Sequence, residues 1–142
     1  MRHPLHPALV HFPIACWSLA TAADLASLWW GTPAWRLAGV LLVVGTVTAI
    51  AAMATGMVEL LKVGGDHPAT RDLDRHMLLA MATWGLYAAS LLLRLQGTAL
   101  ARPDAIGLGL SMAGFVCLCM TGWLGGTLVY GHGLGREGST RP

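Results

Sequence analysis

The sequence predicts an all-α protein: an integral membrane four-helix bundle arranged as two parallel two-helix repeats. Charged residues make up only 11% of the 142-residue chain and hydrophobic ones 55%, with a mean hydropathy of +0.60. A soluble domain carries about 25% charged residues, so this chain has too little polar surface to face water all round. Four apolar segments, 8–30, 35–61, 77–95 and 106–130, each reach the roughly 20 residues that a helix needs to cross about 30 Å of hydrocarbon. A likeness between the two halves predicts how the helices pair. The whole chain, 1–142, then forms one transmembrane domain.

The segments are helices because a backbone in lipid has to satisfy its own hydrogen bonds, and four long segments cannot close a barrel. The first opens on "HPLHPALVHFPIA", with three histidines and three prolines ahead of the apolar run. Pro7 suits a helix start, where its missing N–H is no loss. Pro13 withholds a bond from Leu9 and predicts a bend or loosening around His11. Arg2 and "TAADLA" imitate a signal peptide, but the apolar run is too long for one; it reads as a retained helix. Gly31 and Pro33 break the chain before the second span, and Gly97 and Pro103 before the fourth. Cys16, Cys117 and Cys119 lie inside apolar spans and form no disulfide or CxxC pattern.

Four spans put both termini and the middle loop on one side, here side A. Arg2, Lys62, Arg71, Arg75, Arg136 and Arg141 fall there, against Arg36, Arg94 and Arg102 on side B. That excess predicts a cytoplasmic side A in a bacterial inner membrane. Nothing in the charge pattern points to nucleic acid. His3, His6, His11, His67, His76 and His132, all the histidines of the chain, also fall at side A. The halves match at an offset of about 65 residues: His11 to Thr55 spans 44 positions, and His76 to Thr121 spans 45. Parallel repeats place a shared site at their interface, so the matching predicts His11 opposite His76.

The motifs "HPALVHFPIA" and "GGTLVYGHGLG", with a histidine opening the third span, resemble the bacterial domain-of-unknown-function 2231 family over essentially the whole chain. The matching positions are His6, Pro7, His11, Phe12, Pro13, His76, Gly125, Gly126, Tyr130, Gly133 and Gly135. The resemblance implies a four-span membrane protein. Some members are joined to a Rieske-type iron–sulfur domain, which implies electron-transfer surroundings, and the family lends no settled activity.

The residues themselves leave three readings open. Neutral imidazole is the commonest metal ligand and also serves haem iron. In the first reading His11 and His76 ligate a haem b, with Arg71, Arg75 and Lys62 at its propionates and Tyr130 and His132 closing the site. The chain would then carry electrons between a quinone or another redox partner and a second carrier. In the second, His6, His11, His67, His76 and His132, with Asp66 or Glu59, hold copper or zinc. The third is an accessory subunit of a larger membrane complex or a homo-oligomer, its histidines bonding at headgroup level. No nucleophile–histidine–acid set and no phosphate loop appears, which argues against a stand-alone enzyme. Asp24, inside the first span, is expected to pair with Arg36 or Arg94, since an unpaired charge in lipid is costly.

Overall fold

A computed structural model describes residues 5–61 and 68–133. Four helices dominate: α1 (Leu5–Trp30), α2 (Thr32–Leu60), α3 (Thr70–Leu93) and α4 (Ala105–Gly126), the last running into a π-helical turn at Thr127–Gly131. All four are long and apolar enough to cross a membrane. Two short strands, β1 (Leu95–Gln96) and β2 (Ala99–Leu100), pair antiparallel between α3 and α4.

Local chemistry fixes each junction. Gly31, at φ 62°, makes the turn between α1 and α2 in one residue, a conformation that needs no Cβ. Pro33 then lies in the first turn of α2. The hairpin after α3 turns on Gly97, also at positive φ. Asp104 caps α4, its carboxylate accepting the Gly107 amide at 2.7 Å.

Helix α1 runs through Pro13 from Leu5 to Trp30, the proline withholding one internal bond. One expectation about the elements is corrected. Helix α3 begins at Thr70, before the apolar stretch, and ends at Leu93. Hydropathy marks where a helix enters lipid, and the polar "TRDLDR" turn stands outside that boundary while remaining helical.

Helix α1 packs chiefly on α2 and α3 on α4, and the two hairpins meet through α1 with α4 and α2 with α3. Between them α1 and α3 face one another through long side chains. The Trp17 and Tyr87 rings stack with centroids 4.9 Å apart and planes 8° from parallel. Toward side B, Arg94 donates to both carboxylate oxygens of Asp24 at 2.6 Å, and both residues are 1% exposed. Ser90 and Ser111 accept further bonds from the same guanidinium.

These contacts give the true register of the repeat. Trp17 and Tyr87 are seventy residues apart, as are Asp24 and Arg94. In the second helices the step is 69 residues. The Trp17 ring lies on Gly45, where a Cβ would come within 2.8 Å, and the Tyr87 ring lies on Gly114, where it would come within 3.0 Å. The 65-residue offset therefore gives way to one of 70 and 69. The partner of His76 is not His11.

Candidate functional site

Seventy residues before His76 is His6. Both imidazoles reach across to the second helix of their own hairpin. His6 Nδ1 donates to the Ala52 carbonyl at 2.8 Å, and His76 Nδ1 donates to the Thr121 carbonyl at 3.1 Å. Ala52 and Thr121 are themselves 69 residues apart. Each ring rests on a glycine: a Cβ on Gly56 would lie 2.9 Å from the His6 ring, and one on Gly125 would lie 3.3 Å from His76. A Cβ at Gly56 would push into the His6 ring, and one at Gly125 would crowd the His76 ring by a few tenths of an ångström.

A carbonyl only accepts, so Nδ1 carries the proton in both rings and Nε2 keeps its lone pair. Metal-bound histidines are commonly held this way, with the second ring nitrogen tied to a carbonyl or carboxylate that fixes orientation and tautomer. Both histidines line a cavity of about 280 Å³ between α2 and α3. Both also line a smaller chamber of about 100 Å³ in the bundle centre, above Trp17 and Leu118.

Helical phase explains why these positions converge. His6, Trp17 and Asp24 are separated by 11 and 7 residues, as are His76, Tyr87 and Arg94. At 3.6 residues per turn those steps return to within about 20° of one face, and the 18 residues rise about 27 Å. One stripe on each of two helices thus runs from side A to side B. His11 lies five residues from His6, a rotation of about 140°, and it is exposed on the other side of α1. It takes no part in either cavity, which corrects its expected place in the bundle interior.

The remaining expected site residues are dispersed. Arg71 is exposed, and Arg75, with 63% of its side chain exposed, borders a separate groove on the outer face of α3 and α4 with Trp123. Tyr130 is 77% exposed on the π-helical turn. His132 pairs with Asp72 at 3.0 Å, joining the end of the fourth span to the start of α3. Lys62 and His67 lie outside the described residues. Among the described residues no three of His, Cys, Asp and Glu come together as a metal set. Among the described residues, His11, His132, Arg71 and Arg75 do not line the cavity of the pair. Thr55, expected to match Thr121, bonds within its own helix and shares the Ala52 carbonyl with His6.

Four methionines also line the larger cavity and take no part in the expected sites: Met53, Met57, Met77 and Met81. They form two pairs one helical turn apart, on α2 and on α3. That spacing was the available signal.

The family described as "predicted membrane protein (DUF2231)" matches residues 2–138. The chain belongs to the DUF2231 family. It is accordingly a multi-pass membrane protein whose apolar helix faces contact the lipid bilayer. No curated protein and no solved structure matches the chain.

Proposed function

We propose that this chain is a membrane electron-transfer protein whose redox metal, the iron of a haem b or a copper ion, is held by His6 and His76. One observation carries the reading: two imidazoles, related by the internal repeat, are both tied at Nδ1 and both line the same cavity. A histidine serving only as packing needs no matched partner of this kind. A metal group so held takes up and releases single electrons, at a potential tuned by its ligands and their hydrogen bonds. The residues fit such a group in their lone pairs and in the glycine cradle of each ring. The excess of Arg and Lys at the histidine end supports a cytoplasmic side A in a bacterial inner membrane. A quinone or another redox protein is the corresponding electron partner.

The test is the optical spectrum and metal content of full-length protein purified from cells supplied with haem and copper. Haem gives a Soret band with split α/β bands on reduction, and copper is found by elemental analysis. His6→Ala and His76→Ala should each remove the group. A colourless, metal-free protein would leave the accessory-subunit reading in its place.

A further inference from the structure

We infer that the site takes monovalent copper, with methionine sulfur from α2 and α3 completing the ligands that His6 and His76 begin. The inference rests on the reading that the histidine pair holds a metal. Met53 and Met57 on α2 and Met77 and Met81 on α3 line the cavity together with the two imidazoles. Met57 and Met81 are 44% and 59% exposed and stand at its mouth, while Met53 and Met77 are less exposed.

The chemistry of this donor set is selective. Thioether sulfur is a soft ligand that favours Cu(I), and imidazole binds copper readily. Zinc normally takes four nitrogen, thiolate or carboxylate donors, and no third donor of that kind joins the pair among the described residues. Every donor here is neutral, in a site walled by apolar side chains. The Born cost of bringing an ion into such surroundings grows as the square of its charge. A monovalent ion thus meets about a quarter of the penalty of a divalent one. Haem is less well served: among the described residues no arginine or lysine lines the cavity to meet its propionates. Arg75, an expected propionate partner, also faces a different groove.

Full-length protein in detergent is titrated anaerobically with Cu(I) against the chelator bicinchoninate, and the atoms around the metal are identified by X-ray absorption. One Cu(I) per chain, with both nitrogen and sulfur scatterers, is the expected result. The double variants Met53→Leu/Met77→Leu and Met57→Leu/Met81→Leu should weaken binding by about 10–100-fold. Leucine nearly conserves the volume, so the thermal midpoint should hold; if a variant unfolds, the wild-type absorption spectrum decides alone. Copper bound through nitrogen only, or haem carried by the protein as purified, overturns this inference and leaves the histidine pair standing as a metal site. A protein that takes up neither overturns both.

Discussion

The two ends of the bundle occupy equivalent places in the repeat and have opposite characters. At side B the seventy-residue step brings a carboxylate to a guanidinium, and the two are paired: Asp24, Arg94, Ser90 and Ser111 form one buried network, in which the guanidinium Nε alone makes no hydrogen bond. At side A the same step brings imidazole to imidazole, each with one nitrogen bonded, beside a cavity. One end is closed by its own side chains and the other leaves lone pairs for something else to use. The difference teaches that internal symmetry supplies matched positions, while residue chemistry decides whether the match becomes a lock or a site.

The lock should be the more costly to break. Arg94→Leu leaves a carboxylate buried and unpaired, and removing one partner of a buried pair costs about 3–5 kcal/mol. Thermal unfolding in detergent should show that loss, and Asp24→Leu/Arg94→Leu should recover most of it. If the double variant is as unstable as the single one, Asp24 has another partner and the lock is misread.

Between the ends, the stacked rings are seated on glycines. Gly45→Ala puts a methyl within 2.8 Å of Trp17, and Gly114→Ala within 3.0 Å of Tyr87, an overpacking worth about 1–3 kcal/mol each. Gly85→Ala faces open space and should hold or raise stability. Equal loss at all three positions would remove the packing explanation for the first two.

Smaller again is Tyr87→Phe, which deletes the 2.8 Å bond to Thr21 and should cost about 0.5–1.5 kcal/mol. The smallest effect belongs to side A. His132→Ala releases Asp72 from a partly exposed contact, worth about 0–1 kcal/mol. A larger loss there would mean that the side A end is locked too, and the contrast between the ends would weaken.

Much of the fold was legible because lipid leaves few options: composition and segment length set the class, and Asp24 announced the need for a partner. The element ends were less legible. The charged turn Thr70–Arg75 belongs to α3 although it lies outside the apolar run that begins at Met77. At the site, the histidines were visible but their pairing was not. His11 and His76 share local neighbours at 65 residues, so identity in sequence favoured them. Only helical phase, counted through Trp17 and Asp24 on one side and Tyr87 and Arg94 on the other, selects His6. The methionines lie far apart in sequence and become one group only where α2 meets α3.

The central claim is that His6 and His76 form the site and His11 does not. Wild type, His6→Ala, His76→Ala and His11→Ala, purified side by side and assayed for bound haem and copper per chain, test it most directly. The account predicts a loaded wild type, an equally loaded His11→Ala, and loss in the other two with folding retained. Loss in His11→Ala while His6→Ala stays loaded would contradict it.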